Sequence, residues 1–147
     1  MKLKQISIFL ENSPGRLYET TRALGDAGIN LRALTLSEAT DYGVLKLLVS
    51  NVSKARQIMM EKQFPARIDE VVAVEIKDQA GSLAELLKPL MEKNISVRYM
   101  YAFSGFTDNR AVMIFSFSDV DKAIEILQKT GQSLLTAKAF GMLDSLD

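Results

Sequence analysis

Glu11-Asn12-Ser13-Pro14-Gly15-Arg16-Leu17 and Lys77-Asp78-Gln79-Ala80-Gly81-Ser82-Leu83 are two versions of one phrase, offset by 66 residues from Gly15 to Gly81. The offset recurs downstream. Gly28-Ile29-Asn30-Leu31-Arg32 matches Asn94-Ile95-Ser96-Val97-Arg98 at 66, and Val52-Ser53-Lys54-Ala55 matches Val120-Asp121-Lys122-Ala123 at 68. Self-similarity at a fixed period marks a structural unit written twice. The two extra residues of the second copy are expected near the loop from Ser104 to Arg110.

Each copy reads β-α-β-β-α-β. Ile6, Ile8 and Leu10 alternate with period two, as do Val72, Val74 and Ile76, the pattern of half-buried strands. Leu17, Thr21, Leu24 and Ala27 recur at helical spacing up to Gly28, and Leu83, Leu86, Leu87, Leu90 and Met91 do so in the second copy. Strands are expected over 29–36 and 44–50. Second helices carry Val52, Ala55, Ile58 and Met59, and Val120, Ala123, Ile124 and Leu127. Residues 66–77 hold no Gly, Pro or Asn, so the last strand of copy one is expected to run almost directly into the first strand of copy two.

The fold class expected is therefore α+β: two ferredoxin-like βαββαβ repeats, antiparallel sheets with their helices on one face, as domains 1–69 and 70–147. The opposite sheet face is expected to be bare, with Ser7 and Phe9 on it. Units this small bury little surface alone, so pairing of the copies is expected to supply much of the stability.

Composition removes several chemistries. Among 147 residues, 18 Lys+Arg balance 18 Asp+Glu, and there is no His, Cys or Trp. Thiol nucleophiles, disulfides, Cys/His zinc sites, haem His ligands and imidazole bases are excluded. Zero net charge argues against nucleic acid as a partner, because no excess of cations is there to neutralise phosphates. It also favours self-association, so an oligomer is expected. No apolar run approaches the ~18 residues that cross a bilayer, and Met1-Lys2-Leu3-Lys4-Gln5 leads into a strand pattern without a secretory h-region, so a soluble, cytoplasmic protein without membrane partners is expected.

Chemistry concentrates at the first strand-helix junction of each copy. A helix N-terminus presents unpaired N–H groups and partial positive charge, both suited to a carboxylate, and a glycine there admits a ligand close to the backbone. Asn12 and Asp78 precede the turn with side-chain oxygens able to accept from an ammonium group. A free amino acid carries both charges. The same residues have a plain structural reading, with Ser13 as N-cap, Pro14 at the first helical position, and Asp78 or Gln79 as the equivalent cap. Gly28 and Asn94 likewise suit the left-handed conformation that ends a helix.

Taken together, the Pro-Gly-x-Leu junction at Pro14–Leu17 followed by Gly28-Ile29-Asn30 in a βαββαβ unit resembles the ACT domain, and nearly the whole chain resembles a tandem ACT pair. Copy two departs from the pattern, with Ala80 for the Pro, Asn94 for the Gly and Ser96 for the Asn. The resemblance implies a non-catalytic regulatory module, a homodimer, that binds a free amino acid as effector at ACT–ACT interfaces, needs no cofactor or metal, and acts on a regulated protein target. Carried over by residue, Asn12, Ser13, Gly15, Arg16 and Leu17 would form one wall of a site. Asn30 and Leu31, or Ser96 and Val97 of the paired copy, would face it, while Asp78, Gly81, Ser82 and Leu83 would build the second site.

Other readings are weaker. Tyr99, Tyr101 and Phe103 alternate along a strand and could line an aromatic-selective pocket, but such ladders more often cover a helix-free sheet face or pack an interface. Arg32 and Arg98 occupy equivalent positions, where strand arginines usually solvate an edge. Ile114-Phe115-Ser116-Phe117 echoes an RNA-binding strand without its basic start. Met59, Met60, Met91, Met100, Met113 and Met142 read as core filler rather than metal ligands. Asp41, Asp108 and Glu38 are the carboxylates an enzyme would use, with no second catalytic group beside them. The main alternative is a docking module that has lost ligand binding.

Overall fold

The unbroken strand expected between the copies is the element that both share. The computed structural model describes residues 1–104 and 108–143. In it β4 (Ala66–Lys77) is a single strand of 12 residues. Two compact units divide the chain within it: an N-terminal unit of Lys4–Asp69 with the chain from Ala137 onward, and a C-terminal unit of Met1–Leu3 with Glu70–Thr136.

The N-terminal unit contains β1 (Leu3–Glu11), α1 (Arg16–Asp26), β2 (Leu31–Glu38), β3 (Tyr42–Val49), α2 (Val52–Glu61) and the start of β4, in the strand order β2-β3-β1-β4. β1 and β2 each run antiparallel to β3, with Ile6 opposite Leu47 and Ile8 opposite Leu45 between β1 and β3, and Leu34 opposite Leu47 between β2 and β3. The C-terminal unit contains the rest of β4, α3 (Ser82–Glu92), β5 (Val97–Ser104), β6 (Arg110–Phe117), α4 (Val120–Lys129) and β7 (Ser133–Leu135). Its order is β5-β6-β4-β7, antiparallel throughout, which is the same plan with β4 as first strand. A one-turn 3-10 helix spans Lys138–Phe140.

Local signals explain the elements. Asn51 and Asp119 cap α2 and α4 at equivalent positions, each side chain accepting from a backbone N–H three residues on, at 3.0 and 3.1 Å. Just before them, the Ser50 and Ser118 hydroxyls accept from the N–H of Asn30 and Ser96 at 2.9 and 3.0 Å. Gly28 (φ 77°) and Asn94 (φ 58°) adopt the left-handed conformation expected beyond the helices. Three residues separate β2 from β3 and five separate β5 from β6, which places the two extra residues of copy two in the expected interval; residues 105–107 lie outside the described residues.

The helix-facing core of the C-terminal unit is Val72, Val74, Phe115, Leu86, Leu90, Ala123 and Leu127, with Leu83, Leu87 and Met113 partly buried against it. Several expectations need correction. The other sheet face is not bare: Gln5, Ser7, Ala73, Val112 and Ile114 are fully buried, and Phe9 is half-buried. The run Val71-Val72-Ala73-Val74 is buried at every position, the continuous apolar signature of a strand covered on both faces. Ser7 is satisfied there, its hydroxyl donating to Asp69 Oδ2 at 2.9 Å and accepting from Gln5 Nε2 at 3.3 Å. On α1 the buried positions are Thr20 and Leu24, while Leu17 is 42 % exposed. Met60, Met91 and Met100 are exposed, so they are not core filler. Tyr99, Tyr101 and Phe103 stand opposite Ser116, Ile114 and Val112 and so lie on the helix-free face.

Candidate ligand site at the strand-helix junctions

After β1 the chain turns sharply, Ser13 N–H donating to the Glu11 carbonyl at 2.8 Å and Arg16 N–H to the Ser13 carbonyl at 3.4 Å. Gly15 then starts α1 at φ 91°, a left-handed conformation that side chains with a Cβ rarely adopt. This displaces the structural reading of the junction: Gly15, not Ser13, is the N-cap, and Pro14 lies before the helix. No side chain caps α1, and among the described residues no hydrogen bond takes the N–H of Leu17 or Tyr18. Copy two repeats the arrangement. Gln79 N–H reaches the Lys77 carbonyl at 3.0 Å, Ser82 N–H reaches the Gln79 carbonyl at 3.2 Å, and Gly81 (φ 88°) is an N-cap without a side-chain bond, so neither Asp78 nor Gln79 is the cap. A Cβ at Gly15 or Gly81 would meet nothing within 4 Å, so the space beside each glycine is open.

In the N-terminal unit Asn12, Ser13, Arg16 and Leu17 line one small cleft of about 120 Å³ together with Leu36 and Gly43. Asn30 and Leu31 are not part of it. They lie beyond the other end of α1, whose 11 residues span ~16 Å. In the C-terminal unit Ser82 lines a cleft with Gln79 and Arg110, while Asp78 and Gly81 of the preceding turn and Leu83 of α3 do not line it. Ser96 and Val97 are beyond the far end of α3. Leu36 and Gly43 were not foreseen, because they come from the β2-β3 hairpin and are joined to the junction by strand pairing alone; a glycine opposite Glu38 beside a leucine is not a ligand signal.

Arg16 is the most engaged charge here. Its guanidinium lies 3.4 Å from Glu11 and 3.2 Å from Glu19, and 5.4 Å over the Phe64 ring. Hydrogen bonding to Glu11 and then that carboxylate's charge, with smaller contributions from Glu19, push the guanidinium further toward its charged form. Arg16 also borders a larger cleft of about 460 Å³, with Phe9, Tyr42 and Phe64. Glu38, Asp41 and Asp108 are all exposed. Among the described residues no three acidic side chains gather as a metal site, and no helix is long and apolar enough to cross a membrane.

A family model described as an ACT domain pair matches residues 1–142. The chain belongs to the ACT domain family. This ACT pair is similar to a crystallised protein from Bacteroides thetaiotaomicron at 37% identity and a TM-score of 0.91, with 97% of this chain and 98% of that one covered. The regulatory subunit of aspartate kinase from Thermus thermophilus shares its fold at a TM-score of 0.60 and 11% identity over 87% and 91% of the two chains. Aspartokinase III of E. coli, crystallised with aspartate and ADP, shares it at 0.56 and 15% identity, covering 88% of this ACT pair and 32% of the enzyme. No curated protein matches the ACT pair.

Proposed function

We propose that this ACT pair is a non-catalytic regulatory sensor that binds a free amino acid at ACT–ACT interfaces, with repeats 1–69 and 70–147 as its two domains. The observation that carries the reading is the duplicated helix start. Gly15 and Gly81 leave α1 and α3 uncapped by side chains, with open space beside each glycine. Uncapped N–H groups suit the effector's carboxylate, and the exposed Asn12 or Asp78 side chain its ammonium. Asn30 and Leu31, or Ser96 and Val97, complete a site when a neighbouring ACT domain presents them, which requires pairing; the working form is a homodimer in the cytoplasm. Occupancy passes to a protein target in proportion to the ligand's differential affinity for two arrangements. The shared fold with the aspartate kinase regulatory subunit supports a regulatory rather than catalytic role.

The test is a thermal-shift screen of the purified protein against the twenty amino acids at about a hundredfold excess over Kd, where linkage gives ~2.7 kcal/mol of stabilisation. A selective rise of several degrees, lost in Asn12→Ala, is the expected outcome. Gly15→Val is a poorer probe, because at φ 91° any Cβ strains the turn itself. A flat screen would instead support the docking module.

A further inference from the structure

The larger cleft of the N-terminal unit lies between the end of β1, the start of β3 and the turn after α2, beside the strand-helix junction. Phe9, Tyr42 and Phe64 wall it, Glu11, Arg16 and Lys62 supply its charges, and its volume of about 460 Å³ is that of small-molecule sites. The C-terminal unit forms the same cleft, of about 310 Å³, from the repeat-equivalent positions. There Glu75 stands for Phe9, Arg110 for Tyr42, Gln132 for Phe64 and Ser82 for Arg16. The fold thus builds this hollow with polar or aromatic walls alike. Three aromatic residues from three separate segments are not what its packing demands, and their convergence on one partly open cleft points to a ligand.

We propose that this cleft is a second small-molecule site, specific to the N-terminal unit, whose ligand is an aromatic carboxylate. The walls supply ring surface: Phe9 and Tyr42 are 5.9 Å apart and tilted by 58°, a geometry that accepts a further ring edge-on. Glu11 and Glu19 together neutralise Arg16, so the one cation left to favour an anion at the rim is Lys62. Arg16 is held in place over Phe64 by Glu11 and Glu19, whereas Lys62 is exposed and has no ion pair among the described residues. Lys62 is therefore the cation available to the ligand's carboxylate. In the second copy Thr130 takes its place, and the adjacent cleft has lost both its rings and that charge. One site per chain follows.

Calorimetric titration of the full chain with 3-phenylpropionate, cyclohexanepropionate and L-phenylalanine tests this. The expected result is one 3-phenylpropionate per chain, bound about tenfold more tightly than the saturated analogue. Phe64→Gln, which installs the residue of the second copy, weakens it about tenfold, and Lys62→Ala weakens it about fivefold. Equal affinity for the two acids, unchanged affinity in both variants, or no binding at millimolar concentration would overturn the proposal. Should Phe64→Gln not fold by circular dichroism, Lys62→Ala, an exposed position, decides alone. The outcomes separate this site from the amino-acid sensor. Binding of L-phenylalanine without 3-phenylpropionate overturns the second site and leaves the sensor standing; binding of 3-phenylpropionate with no response to any amino acid does the reverse.

Discussion

Tyr101 sits half-buried on β5 opposite Ile114, and burial there, helped by the neighbouring Tyr99, pushes its hydroxyl pKa well above the ordinary tyrosine value. The folded state therefore holds the neutral phenol while the unfolded chain ionises it near ~10. A raised folded pKa means stability that is full below ~10 and is lost as pH rises beyond it. At pH 11 the wild type should have lost ~1.4 kcal/mol that Tyr101→Phe keeps, relative to pH 8. Urea unfolding of both proteins at the two pH values checks this; parallel losses would mean the hydroxyl ionises in place. Residues of this kind are poorly legible in sequence. The alternation of Tyr99, Tyr101 and Phe103 gives their common face, but the depth of burial depends on what β6 places opposite. The junction residues were legible because chain neighbours make them: Asn12, Ser13, Arg16 and Leu17 meet in one turn and share one cleft. Phe9, Tyr42 and Phe64 were not, since strand pairing and the α2-β4 turn bring them together across 55 positions of sequence.

At the scale of elements the two helix classes start differently, and the difference is measurable. α2 and α4 begin with Asn51 and Asp119 side-chain caps, whereas α1 and α3 begin with left-handed glycines and none. Asp119→Ala should cost ~1 kcal/mol in urea unfolding, the ordinary loss of an N-cap. Ser13→Ala, at the residue a sequence reader would choose as cap, should change stability by less than ~0.3 kcal/mol, because its side chain caps nothing. Equal costs would mean that Ser13 caps α1 in solution. The existence of the helices and of strands β1 to β6 was legible, because the period-two and helical patterns are written twice and each copy checks the other, whereas the 3-10 helix at Lys138–Phe140 was not. Helix starts were not: Ser-Pro-Gly permits a Ser cap followed by Pro, and only the φ of Gly15 selects the alternative. The bare sheet face was misjudged for a related reason, since Ser7 looks like a solvent-facing residue until its hydroxyl is found donating to Asp69, 62 positions away.

For the whole molecule the informative fact is that repeat boundaries and packing units do not coincide at the chain ends. Met1–Leu3 belongs to the unit built mainly from copy two, where Lys2 pairs with Asp121 at 2.9 Å and Glu70 at 3.4 Å. The segment from Ala137 belongs to the unit built mainly from copy one, where Leu143 N–H donates to the Ser50 carbonyl at 2.9 Å. The surface ion pairs at Lys2 weigh little, but the other end contributes Phe140 and Met142, 5% and 6% exposed. Two apolar side chains so buried are core, and they stand more than about 70 positions from every strand residue of their unit. Phe140→Ala should therefore destabilise the N-terminal unit by ~3 kcal/mol or more, the cost of emptying an aromatic from a core. Amide exchange locates the effect: protection should fall in β1, β3 and α2 with α4 less affected, whereas a loss confined to the last residues would show that the segment docks without supporting the unit. The repeat could not reveal this, because at the equivalent point copy one simply continues as β4 and so gives no pattern for the segment after Thr136.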